Sequence, residues 1–249
     1  MTARPEDWQV RSVSAIFRRE LGAYFNTPLG YIVVACFLLT FGFFFFYVFD
    51  VLGGQVASMR SMFRTAPLVL AVLTPLVTMR LLAEERHSGT IELLMTLPVT
   101  EWQVVLGKYL AAVAVLATAT LLTLSYPLTL ALLGDLDPGP VFAGYAGLLL
   151  LGAAYAALGL LCSSLATTQV VAAVCGLLLC TFAWIVDKLA ASLPGGLASD
   201  LLHFAGFDYH FINLQRGVVD SRDLVFFASV IAFALTAAVV VLRRQRLAG

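Results

Sequence analysis

Apolar residues along this chain come in long unbroken runs, not in alternation. Six stretches, 30–49, 65–82, 102–124, 141–162, 170–190 and 224–242, are almost continuously apolar. Each is close to the ~20 residues a helix needs to cross a hydrocarbon core about 30 Å thick. The second carries Thr74-Pro75 between Arg64 and Arg80. A proline there removes a backbone hydrogen bond and kinks the helix, which neighbouring helices can accommodate. The expected fold is an all-α integral membrane protein, one transmembrane domain over 1–249 with six spans.

The polar interruptions have their own periodicity. Val10, Val13, Phe17, Leu21 and Tyr24 recur at near-helical spacing while Arg11, Arg18 and Arg19 point elsewhere. That predicts an amphipathic helix over 8–25, lying in the headgroup plane until Asn26-Thr27-Pro28 breaks it. The first apolar run has no small-residue cleavage site after it, so it reads as a span and not as a signal peptide. Between the last two spans, 192–223 mixes Leu201, Leu202, Phe204, Phe207 and Ile212 with Asp200, His203 and Asp208. Short re-entrant helices dipping into the outer leaflet suit it, with Asp220-Ser221 capping the last span.

Composition agrees: 61% of residues are hydrophobic and 12% charged, about half the charge of a soluble domain, and mean hydropathy is +0.94. With six spans, the N-terminus, 83–101, 163–169 and the C-terminus share a side. Arg4, Arg11, Arg18, Arg19, Arg80, Arg86, Lys108, Arg243, Arg244 and Arg246 lie there; Arg60, Arg64, Lys188, Arg216 and Arg222 lie opposite. The bias predicts cytoplasmic termini. Cys36, Cys162, Cys175 and Cys180 all sit in apolar runs and read as small hydrophobes. The aromatic run Phe41, Phe43, Phe44, Phe45, Phe46 and Tyr47 is expected to face lipid or a partner subunit.

The segment EERHSGTIELLMTLPVT, 84–100, falls on the cytoplasmic side. Glu84 and Glu85 continue the second helix into water, and Gly89 ends it with a left-handed turn. Thr90 starts a short helix with Ile91, Leu94 and Met95 on one face. Pro98 stops it, and Thr100 with Gln103 forms a capping box for the third span. A projecting helix with an apolar face needs a cover: the chain's own helix ends or a partner's groove.

Glu85, Gly89-Thr90, Glu92 and Pro98 resemble the E-x-x-x-G-T-x-E-x-L-x-x-x-P signature of ABC-2-type ABC transporter permeases. Tyr209-His210-Phe211, with Arg216-Gly217 and Asp220 through Arg222-Asp223, resembles the gliding-motility-associated branch. The resemblance implies a permease driven by a separate cytosolic ATPase, which docks on 84–98 as a coupling helix. It implies two ATPase copies, a second or related permease, export, and an extracytoplasmic auxiliary protein on 192–223. It places the chain in the bacterial inner membrane, with ATP and magnesium held by the ATPase. For Asp220–Asp223 the residues alone suggest a helix cap plus a local Arg–Asp pair.

The chain has no G-x-x-x-x-G-K-[ST], since Gly107-Lys108 runs into Tyr109. No catalytic or metal-binding residues and no cofactor are expected on it. His203 and His210 are expected to be surface or interface residues, not metal ligands. A secondary carrier would place ionisable groups mid-membrane, and Asp50, Arg80, Asp187 and Lys188 fall at span ends. A scaffold that docks a cytosolic protein and moves nothing is the main alternative; nucleotide-dependent binding discriminates the two.

Overall fold

The computed structural model describes residues 5–48, 59–90, 99–133, 136–192, 194 and 196–248. Among these every regular element is helical. In chain order they are α1 (Pro5–Phe25), α2 (Pro28–Gly42, continued by a π-helical stretch Phe43–Val48), α3 (Arg60–Thr78) and α4 (Arg80–His87). Then follow α5 (Glu101–Leu122), α6 (Ser125–Leu133), α7 (Pro138–Leu165), α8 (Gln169–Ala191), α9 (Leu197–Ala205), α10 (Phe207–Gln215) and α11 (Ser221–Ala248).

Among the described residues, five helical runs are long and apolar enough to cross a membrane: Met62–His87, Glu101–Leu132, Pro138–Leu165, Gln169–Ala191 and Ser221–Arg246. A sixth exists only if Ser12–Phe25 and Gly30–Phe46, bent by 70° at the break, count as one. The reason is length: α2 has 15 residues, and at 1.5 Å per residue it falls short of the hydrocarbon thickness without its π-helical extension. Pro67 and Pro75 lie inside α3, and α4 follows it after Met79, which keeps right-handed helical angles. The span therefore continues as far as the acidic residues Glu84 and Glu85.

Helix α7 is the spine, and its small residues set the packing. A Cβ at Gly144 would strike the Phe63 ring of α3, one at Gly147 would press on Phe211 and Leu214 of α10, and one at Gly159 would strike Thr78. Close approach of this kind is how helices associate where lipid is as apolar as their side chains. Tyr155 is fully buried at the centre, stacked on Phe207 with centroids 5.2 Å apart. Helix α1 packs along α5, where Ile16 fills the space beside Gly107, and the Tyr24 hydroxyl donates to the Val77 carbonyl at 2.6 Å. So α1 is held by protein on one face.

The aromatic run departs from expectation. Phe41 and Phe45 are buried in the core while Phe43 is exposed. Phe45 stacks on Tyr126 at 5.4 Å, and the Tyr126 hydroxyl donates to the Leu38 carbonyl at 2.9 Å. A helix distributes consecutive residues around its axis, so a run of six aromatics cannot share one face.

Candidate functional site

The end of α4 gathers four charged side chains from three helices. Lys108, on α5, is nearly inaccessible, with its side chain 2% exposed. Its Nζ donates to Glu20 Oε1 at 3.0 Å and to Glu85 Oε1 at 2.9 Å. Arg19 donates to the same two oxygens, at 3.2 and 3.0 Å. Two cations and two carboxylates thus bind α1, α4 and α5 at one point. Glu85 Oε2 is buried and has no hydrogen-bond partner among the described residues. A cavity of about 210 Å³ adjoins the cluster, lined by both arginines Arg19 and Arg80, the three carboxylates, Lys108, Ala23 and Tyr24. Glu84 turns away to Arg80 Nε at 2.8 Å.

The same helix end is tied to α7 without charge pairing. Ser163 Oγ accepts from the Leu82 and Ala83 amides and donates to the Met79 carbonyl, all at 3.1 Å. These are the backbone groups released where α3 passes into α4. Arg86 donates to the Leu165 and Ala166 carbonyls at 3.1 Å, closing the last turn of α7, whose carbonyls have no helical partner.

Beyond His87 the chain turns as the sequence dictates. Gly89 has φ +71°, a conformation a side chain would disfavour. Ser88 Oγ donates to the Glu84 carbonyl at 2.9 Å and contacts Thr90 Oγ1 at 2.9 Å. Ile91, Glu92, Leu94, Met95 and Pro98 lie outside the described residues. Where the chain resumes, Thr100 and Gln103 form the reciprocal capping box, with 3.4 Å and 2.9 Å bonds.

The second predicted set, Tyr209 to Asp223, lies at the opposite end. His210 and Asp223 are buried, with Nδ1 and Oδ1 2.7 Å apart. His210 Nε2 lies 2.9 Å from the Phe204 carbonyl, and Asn213 Nδ2 donates to Asp223 Oδ2 at 3.0 Å. Both ring nitrogens therefore face oxygen acceptors. Phe226 stacks on the imidazole at 3.9 Å and Phe204 meets it edge-on. Phe211 is buried against Gly147, whereas Tyr209 is half exposed.

The expected local Arg–Asp pair is therefore replaced by a pair between helices: Asp223 lies on the inward face of α11, directed at α10. Asp220 does act as expected, accepting from the Arg222 amide at 2.9 Å. Gly217, φ +87°, makes the turn between α10 and α11, leaving Arg216 beside a cavity with Arg60 and Arg64.

Lys108 was missing from the predicted residues. It is one of only two lysines and sits seven residues into α5, which was the available signal. Its partners, Glu20 and Glu85, are far away in sequence, so no local pattern joins them. Among the described residues no cluster of three or more His, Cys, Asp or Glu could hold a metal ion.

No curated protein matches the chain. The family model described as ABC-2 family transporter protein matches residues 50–242. Its apolar helices make it a multi-pass membrane protein, and permeases of this kind are transport components that work in general with an ABC ATPase. With well over half its length matched, this chain belongs to the ABC-2 transporter family.

Proposed function

We propose that the chain is the permease subunit of an ABC-2 exporter, driven by ATP hydrolysis on a separate cytosolic ATPase that docks on 84–98. In this reading Glu84, Glu85, Gly89, Thr90, Ile91, Glu92, Leu94, Met95 and Pro98 make up the coupling element. ATP and magnesium belong to the ATPase, present in two copies. Two permeases, identical or related, form the path between them in a bacterial inner membrane, with both termini cytoplasmic. The resemblance of Tyr209 through Asp223 to the gliding-motility-associated branch supports an auxiliary protein on 192–223.

One observation carries the reading. Glu85, which heads the segment, shares its Oε1 with Lys108 of α5 and Arg19 of α1. A push delivered to 84–98 would reach α1 and α5 through this oxygen, and α7 through Arg86 and Ser163. A four-member network of partly hydrated charges can exchange partners as helices shift, where an apolar contact would resist. Its orphaned Glu85 Oε2 supports the same view, since an extra acceptor is ready for a donor that arrives on movement.

The test is purification of the tagged chain from its own host in mild detergent. An ATPase subunit should accompany it. Ile91→Asp and Leu94→Asp should abolish that association while the chain still inserts. Glu85→Gln should keep the ATPase bound and lower its hydrolysis rate. Normal complex yield from both Asp variants, or a chain that arrives with non-ATPase partners, overturns the reading in favour of a scaffold.

A further inference from the structure

At the end of the molecule away from Glu85, α3 begins and α10 ends beside one cavity of about 500 Å³, a volume ordinary for a small-ligand site. Among the described residues its lining is Arg60, Arg64, Gln215 and Arg216. Three guanidiniums and no carboxylate share the space. Arg60 and Arg64 are four apart on α3, so they lie on one helix face, where like charges repel. Arg60 is also the first residue of α3, whose unpaired amides add positive potential at the same place. Neither Arg64 nor Arg216 forms an ion pair among the described residues.

The convergence is built by packing. Phe63, between the two α3 arginines, seats on Gly144 of α7, and Leu214, two residues before Arg216, seats on Gly147. The left-handed Gly217 then rests on Pro140. The α7 glycines thus hold the two arginine-bearing segments on one side of the same helix. Gln215 adds a different demand: its Oε1 is buried with no hydrogen-bond partner among the described residues. An acceptor beside three cations calls for a ligand that both bears negative charge and donates a hydrogen bond.

We infer that this cavity binds a glycerophosphate group, its phosphate held by Arg60, Arg64 and Arg216 and a hydroxyl donated to Gln215 Oε1. Guanidinium forks match phosphate oxygens two at a time. The cavity lies where two membrane-crossing runs begin, Met62–His87 and Ser221–Arg246. Two sources share this chemistry: the headgroup of phosphatidylglycerol and a soluble glycerol phosphate. The site is independent of the proposed ATPase docking.

Equilibrium binding of fluorescent phosphatidylglycerol to the full chain in neutral detergent tests it, with phosphatidylcholine and sn-glycerol 1-phosphate as competitors. Phosphatidylcholine should not compete, because its trimethylammonium adds a cation and has no hydroxyl. Displacement by millimolar glycerol phosphate identifies a soluble ligand as sufficient; displacement only by unlabelled phosphatidylglycerol identifies the lipid. Either supports the site. The double variant Arg64→Gln, Arg216→Gln should weaken binding at least about tenfold, and Gln215→Glu should weaken it while leaving the arginines in place. Arg243→Gln, on the opposite end, should change nothing. Equal competition by phosphatidylcholine, or unchanged affinity in the double variant with an unaltered size-exclusion profile, overturns the inference.

Discussion

The two ends of this protein hold buried charge in opposite ways. At the α4 end, Lys108 is enclosed, but its partners Glu20 and Glu85 share oxygens with Arg19, which is largely exposed. One carboxylate oxygen has no partner among the described residues, and a cavity stands alongside. At the α10–α11 end, His210 and Asp223 are both buried, every polar atom of the pair has a partner, and aromatic rings wall them in. An open network can change partners at small cost because water can stand in for a lost bond. A closed one cannot, since each broken bond leaves a desolvated group. The first arrangement suits a moving joint; the second suits an anchor strapping the short helices onto α11.

Breaking the closed end should have the largest effect. Asp223→Ala leaves His210 buried against Phe226 without its carboxylate, which costs about 3–5 kcal/mol for a buried pair losing one member. Melting of the purified chain in detergent would report it. Replacing both, with His210→Phe and Asp223→Leu, should recover part of the loss, because neither half of the pair is then stranded, although Asn213 Nδ2 and the Phe204 carbonyl lose their partners. A wild-type melting curve for Asp223→Ala would remove the distinction between the two ends.

Next comes the packing that supports this end. Gly147→Leu drives a branched side chain into Phe211 and Leu214, and overfilled cores lose about 1–3 kcal/mol. The same variant should also displace Arg216, so phosphatidylglycerol binding should fall together with melting temperature. Retention of full binding at lowered stability would separate the cavity from the glycine seat.

The open end should tolerate more. Lys108→Met removes the ammonium shared by Glu20 and Glu85 and should cost about 1–3 kcal/mol, less than Asp223→Ala. Adding Glu85→Gln should restore part of it, because Arg19 then serves one remaining carboxylate. The double-mutant cycle measures this directly. A cost above that of Asp223→Ala would mean the α4 end is the anchor, which also conflicts with a moving joint there.

How far the sequence foretold these two ends differs for a physical reason. Local signals were legible: the Gly89 turn, the Thr100–Gln103 capping box, the Asp220 cap and the break before Pro28 depend on neighbouring residues alone. The helical class was legible because apolar runs of span length have few other uses. What was hidden came from tertiary approach. Lys108 meets Glu20 only once α1 lies along α5, and Asp223 meets His210 only once α10 folds back. Phe45 turned inward onto Tyr126, some eighty residues away in sequence. None of these contacts leaves a trace at fixed spacing.

The weakest test uses the exposed pair Arg246–Glu101, 2.9 Å apart, joining the end of α11 to the first turn of α5. Arg246 is 43% exposed, so solvent screens the pair and about 0–1 kcal/mol is at stake. Arg246→Gln should therefore lower the melting temperature slightly at low ionic strength and not at all near 1 M salt, where the Debye length falls to about 3 Å. Thr100→Ala, in the adjoining capping box, should cost about 1 kcal/mol at either salt, because a backbone amide loses its acceptor whatever the ionic strength. The pair and the cap share one helix start, so their different salt responses separate charge from hydrogen bonding at the same place. If Arg246→Gln matched Lys108→Met in size, burial would not be what grades the charges of this protein, and the contrast between its open and closed ends would lose its physical basis.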